Sequence, residues 1–82
     1  MITVYSKPHC PFCDKAKHYL KSNDIPYEVV DISESTEARE FIMAAGHRTV
    51  PQLYLGKDLL VEGGYTGLEK MGAEAVKQKL LG

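Results

Sequence analysis

The chain has 82 residues, with 10 basic and 11 acidic side chains spread along its whole length and a formal net charge of -1. That balance suggests neither a nucleic-acid stripe nor a membrane-seeking face, and no apolar run nears the roughly 20 residues of a membrane span. The length predicts one domain, residues 1-82, with a modest core and no separate substrate domain, so that an active site lies on the core's surface.

The first predicted element is a short strand, Ile2-Thr3-Val4-Tyr5. A helix follows from Pro11 to about Asn23, with Phe12, Ala16, Tyr19 and Leu20 on one side. Pro11 suits the first helical position, where its missing N–H costs nothing. Asn23-Asp24 and Pro26 stop this helix, and Tyr27-Glu28-Val29-Val30-Asp31 reads as a second strand. A second helix, capped by Ser33 or Ser35, runs to Gly46 with Ala38, Phe41, Ile42 and Ala45 at helical spacing. Gln52-Leu53-Tyr54-Leu55, the turn Gly56-Lys57-Asp58 and Leu59-Leu60-Val61-Glu62 predict a hairpin. Thr66 and Glu69 form a capping-box pattern that predicts a single last helix with Leu68, Met71, Gly72, Ala75, Val76, Lys79 and Leu80 along its buried face. The order is β-α-β-α-β-β-α. Its first crossover implies a parallel strand pair and its closing hairpin an antiparallel one, giving an α/β fold with a mixed four-stranded sheet and helices on both faces.

The only two cysteines, Cys10 and Cys13, sit three residues apart in Lys7-Pro8-His9-Cys10-Pro11-Phe12-Cys13, where the first strand gives way to the first helix. At that spacing their Cα atoms fall within disulfide range. The chain opens without the apolar core of a signal peptide, which makes a cytoplasmic location the expectation. A structural bridge does not persist in a reducing cytosol, and so short a link constrains little of the unfolded chain; a reactive pair is expected instead. At the helix mouth Cys10 faces unpaired N–H groups and the positive end of the helix dipole, with Lys7 three residues upstream, surroundings that favour a thiolate. The reading is that Cys10 is the exposed attacking thiol and Cys13, one turn deeper, the resolving one. Two other readings of the pair stand beside it: inert buried thiols, and a zinc site. The zinc site is short of ligands, since His9, His18 and His47 alone accompany the cysteines and a structural site needs four.

Cys10-Pro11-Phe12-Cys13 after a strand, Thr49-Val50-Pro51 before the hairpin and Gly63-Gly64-Tyr65-Thr66 before the last helix together resemble the glutaredoxin family over essentially the whole chain. The resemblance implies a thioredoxin-like fold, a cis bond before Pro51, and a glutathione-dependent thiol–disulfide oxidoreductase working through Cys10 and Cys13. It assigns glutathione binding to Lys7, Phe12, Thr49, Val50, Pro51, Gly64, Tyr65 and Thr66, with the Val50 backbone pairing with a bound cysteine and the Gly64-Thr66 helix mouth receiving the γ-glutamyl carboxylate. No metal and no bound cofactor are implied, glutathione being a reducing co-substrate. The partners implied are glutathione and disulfide-containing proteins such as ribonucleotide reductase, acting on a monomer with no nucleic acid or membrane partner.

Two departures bear on the glutathione reading. Many relatives carry aspartate, which meets the glutathione ammonium, where this chain has Gly67, and a Gln or Arg where it has Ala38; Arg39 is the neighbouring substitute. A redoxin recycled by thioredoxin reductase and an iron–sulfur cluster carrier are the alternatives. Redoxins of the first kind tend to carry a W-S-G-F-R-P-like stretch where this chain has Glu62 to Gly67, and Pro11 stiffens the loop against the second. Arg48 reads either as a solvated charge or as an aid to anionic substrates. His18 and His47 read as surface residues, and Tyr5, Tyr19, Tyr27 and Tyr54 as packing, with Tyr65 alone placed near a ligand.

Overall fold

The computed structural model describes residues 1–81. Its elements run β1 (Ile2–Ser6), α1 (Pro11–Ser22), β2 (Tyr27–Asp31), α2 (Thr36–Ala44), β3 (Gln52–Leu55), β4 (Asp58–Leu59), α3 (Gly64–Met71) and α4 (Ala73–Leu81). The four strands form one mixed sheet in the order β2-β1-β3-β4. β1 pairs parallel to β2 and antiparallel to β3, and β3 pairs antiparallel to β4.

Strand alternation sorts the side chains onto two faces. Ile2, Val4 and Leu53 point to one, where they meet Ala16 and Leu20 of α1, Leu68 of α3 and Val76 of α4 in a cluster with no exposed surface. Each fully buried leucine there contributes about 2 kcal/mol. Thr3, Tyr5 and Tyr54 point to the other face, where the Tyr5 and Tyr54 rings lie 5.6 and 5.1 Å from Phe41 of α2. The sheet is thus covered on both faces, as the element order predicts, and because Gln52 pairs with Tyr5 the β1-to-α1 and α2-to-β3 connections emerge side by side at one end.

Several boundaries differ from the sequence reading. Ser35, not Ser33, caps α2, accepting from the Ala38 N–H at 3.2 Å, while Ser33 hydrogen-bonds the Asp31 carboxylate. Ala38 and Ile42 are buried, but Ala45 lies past the last turn and is exposed. The hairpin loop is Gly56-Lys57 alone, because Asp58 already pairs with Leu55, and β4 ends at Leu59 instead of reaching Glu62. The segment after it bends toward α3, burying Leu60 and Val61 in the core.

The largest differences concern the last helical segment. Helix α3 begins at Gly64 with Gly63 as its N-cap at φ 86°, so Thr66 lies inside the first turn and caps nothing. Glu69 instead accepts a hydrogen bond from the Tyr65 hydroxyl at 2.8 Å. Gly72, at φ 85° and ψ 149°, then breaks the predicted single helix in two. After that break Val76 is buried and Leu80 half-buried, whereas Ala75 and Lys79 are exposed.

Candidate active site

Cys10 is the N-cap of α1, in extended conformation at φ -114° and ψ 102°. Its Sγ takes the place usually held by a serine or aspartate oxygen, accepting from the Cys13 N–H at 3.3 Å. The preceding His9 adopts φ 59°, a left-handed turn that swings the chain out of β1 and into the helix mouth. Pro11 takes the first helical position, as its geometry predicts.

Across a gap from Cys10 lies the loop Thr49-Val50-Pro51. The Val50-Pro51 bond is cis, and the Cys10 Sγ–H donates to the Val50 carbonyl at 3.7 Å. Gln52, only 6% exposed, holds this loop from the strand behind it, its amide N–H donating to the Thr49 carbonyl at 2.9 Å. A second hold comes from His47, half-buried and 2.7 Å from the Tyr54 hydroxyl. The sequence reading left His47 on the surface, because nothing local shows that Tyr54, on the α2 side of the sheet, faces it; His18, by contrast, is exposed.

The two sulfurs have unlike surroundings. Cys13 is 1% exposed on the core side of α1 and Cys10 8% exposed at its mouth. Burial pushes the Cys13 thiol up to about 12, and the neighbouring Cys10 sulfur adds to the rise. A thiol so held stays protonated at neutral pH. Cys10, though less open than the sequence reading expects, is the more accessible of the two.

The other wall of the gap is the start of α3. Phe12, Thr49, Val50, Pro51, Gly63, Gly64, Tyr65 and Thr66 enclose a cleft of about 300 Å³. Of the predicted site residues, then, the fold brings Phe12, Thr49, Val50, Pro51, Gly64, Tyr65 and Thr66 together around one hollow beside Cys10. Phe12 is not on the buried face the helical spacing gave it: it is 53% exposed and lies 6.4 Å from the Tyr65 ring. Lys7 lines a separate pocket of about 330 Å³ with Arg39, Arg48, Thr49 and Val50. Ala38 is part of the α2 core face and reaches neither pocket. Among the described residues no cluster of histidine, cysteine and carboxylate groups is arranged to hold a metal ion.

Two glycines are fixed by close approach. A Cβ on Gly64, at φ 58°, would stand 2.7 Å from the Pro51 carbonyl oxygen, and one on Gly67 would run into that of Glu62. The missing side chain at 67 is therefore required by the backbone as well as being a departure from the family pattern.

Comparison with known proteins agrees with this geometry. The glutaredoxin family model matches residues 2–60. Glutaredoxin 1 of Rickettsia conorii is 36% identical over 83 residues, covering 98% of this chain and 79% of that protein. N-acetyl-S-hydroxy-L-cysteine reductase of Bacillus subtilis is 31% identical over 74 residues, covering 89% and 75%. Among solved structures, the glutaredoxin-like protein NrdH-redoxin of Escherichia coli superposes with a TM-score of 0.65 at 27% identity, over 67% of this chain and 72% of that one. With a cysteine pair at a helix mouth, a cis-proline loop facing it and a thioredoxin-like sheet behind, the chain belongs to the glutaredoxin family of thiol–disulfide oxidoreductases.

Proposed function

We propose that the protein is a glutathione-dependent oxidoreductase that reduces protein disulfides and glutathione mixed disulfides. The observation that carries this reading is the cleft of about 300 Å³ between Phe12, the Thr49-Pro51 loop and the start of α3, which shares Val50 with the Cys10 thiol and falls within the size range of small-molecule sites. The Cys10 thiolate attacks one sulfur of the substrate disulfide; the old S–S bond breaks and the leaving thiolate takes up a proton. With a protein disulfide, Cys13 then gives up its proton, attacks the Cys10 sulfur and releases the second substrate thiol, leaving a Cys10–Cys13 disulfide. Its burial keeps Cys13 protonated until that step, so the first attack falls to Cys10. Two molecules of glutathione restore the dithiol and leave as glutathione disulfide. Lys7 or Arg39 meets the glycine carboxylate in this scheme, and the start of α3 the γ-glutamyl one. The protein acts in the cytoplasm as a monomer, ribonucleotide reductase being one substrate of the right class.

Replacing Cys13 by Ser is expected to retain reduction of glutathione mixed disulfides and to abolish reduction of protein disulfides, in a coupled assay with glutathione reductase. Loss of both activities would refute the division of labour between the cysteines.

A second reading, recycling by thioredoxin reductase, is favoured by one observation. The Glu62 carbonyl fills the space of a side chain at position 67, so no carboxylate from that position reaches a glutathione ammonium. The NrdH-redoxin similarity, whose own description is a thioredoxin-like activity profile, agrees with it. The same assay run with thioredoxin reductase in place of glutathione separates the two: faster turnover with thioredoxin reductase selects the second.

A further inference from the structure

The two flanks of the Cys10 gap are chemically opposite. On one, the exposed Phe12 ring and Tyr65 make an aromatic shelf, with Lys15 Nζ 5.1 Å from the Phe12 centroid and engaged by the rings. On the other, Lys7, Arg39 and Arg48 converge on the pocket of about 330 Å³, whose apolar lining is Ile32, Ile42 and Met43. Thr49 and Val50 belong to both hollows and form the ridge between them.

The cationic flank is unneutralised. The one ion pair among the described residues joins Lys17 to Asp14, both on α1, so none of these three cations has an acidic partner within 4.0 Å. Like charges gathered at one hollow repel each other and attract an anion, most strongly at low ionic strength. The glycine carboxylate of glutathione supplies a single negative charge for three positive ones.

We propose that this site selects polypeptide disulfides by the residues flanking the reacting cysteine. An acidic residue on one side enters the Lys7-Arg39-Arg48 pocket, and an apolar or aromatic residue on the other rests on Phe12 and Tyr65. The inference rests on the thiol–disulfide reading above and names the substrate class of that same site. The chain runs over the Val50 ridge, which sets the two flanking groups on opposite sides of the sulfur under attack.

The test is single-turnover reduction of symmetric peptide disulfides by the reduced protein. Each turnover consumes one peptide disulfide and the Cys10-Cys13 dithiol and yields two peptide thiols and the protein disulfide. Four peptides are compared: acidic before and aromatic after the cysteine, the reverse order, both groups on the same side, and neither. One of the two split orders is expected to react about tenfold faster than the neutral peptide, with the advantage shrinking as salt is raised. Measured as a ratio to the neutral peptide in each variant, the acidic preference is expected to vanish in Arg39→Gln/Arg48→Gln and the aromatic preference in Phe12→Ser. Equal rates for all four peptides, or a preference indifferent to salt and to these substitutions, overturn the inference and leave the cationic pocket to glutathione alone. Failure to reduce any disulfide, bis-glutathione included, overturns the oxidoreductase reading and this one with it.

Discussion

Helices α1 and α3 start on opposite sides of the same loop, and they solve the problem of their unpaired N–H groups in opposite ways. At α1 the cap is a reactive side chain: the Cys10 sulfur accepts from the Cys13 N–H and touches the Val50 carbonyl. At α3 no side chain caps the helix at all. Gly63 and Gly64 turn the chain at positive φ, and bare backbone lies against the Pro51 and Glu62 carbonyls. A helix start capped from within has an acceptor supplied by the protein itself, whereas one left open offers its N–H groups to an anion from outside. The fold sets one of each across a single cleft.

The sharpest way to break that contrast is at Gly67. Its hypothetical Cβ runs into the Glu62 carbonyl oxygen, a contact no side-chain rotation relieves. Gly67→Ala is expected to cost about 3 kcal/mol or more in urea denaturation, since the Val61-Gly63 segment must move off α3. A loss under about 1 kcal/mol, within the range of ordinary surface substitutions and small helix effects, would show that the start of α3 is not held by this approach.

The second test uses pH, because α1 carries a buried ionisable group in its first turn and α3 does not. The folded state raises the Cys13 thiol from about 9 to about 12, so it favours the neutral form. The resulting stabilisation is complete below pH 9, declines above it, and is gone once the pH passes 12. The stability advantage of the wild type over Cys13→Ala is therefore expected to shrink between pH 9 and 12, read by denaturant unfolding of the reduced proteins. An advantage that stays flat or grows would contradict the burial of this thiol.

The contrast also marks what was legible in the sequence. The start of α1 is coded locally: Pro11, the cysteine spacing and the apolar positions Ala16 and Leu20 lie within a few residues of each other, and the expected helix forms where they place it. The start of α3 is coded by contacts across the fold. Thr66 and Glu69 present a valid capping box, but the chain has already entered the helix at Gly64, drawn there by packing against Pro51. The break at Gly72 was hidden for a similar reason, since apolar spacing continues through it and glycine alone does not say whether a helix bends or ends. The cleft was visible only as three separate motifs and a resemblance. In the cationic pocket Lys7 and Arg39 were linked only through the resemblance and Arg48 stood apart, because the three lie on separate segments that only the fold brings together.

A smaller effect separates the cap from the chemistry at Cys10. Cys10→Ala removes both the nucleophile and the acceptor for the Cys13 N–H, and is expected to abolish disulfide reduction while costing about 1 kcal/mol of stability. Cys10→Ser is expected to be equally inactive but to recover most of that stability, because its hydroxyl is a stronger acceptor in the same place. Equal stability of the two variants in thermal unfolding would mean that the sulfur contributes nothing as a cap.

The smallest expected effect is the most discriminating for α3. If Thr66 were the cap that its sequence pattern implies, Thr66→Ala would cost about 1 kcal/mol. In the structure Thr66 is exposed in the first turn and Gly63 is the cap, so the same change should stay within about 0.5 kcal/mol, with alanine's better helix propensity offsetting what little is lost. Thr66 also lines the cleft, which gives the variant a second readout. A near-neutral stability change accompanied by a rise in KM for the glutathione mixed disulfide would show that this residue faces the ligand and not the helix, leaving the N–H groups at the start of α3 for the substrate.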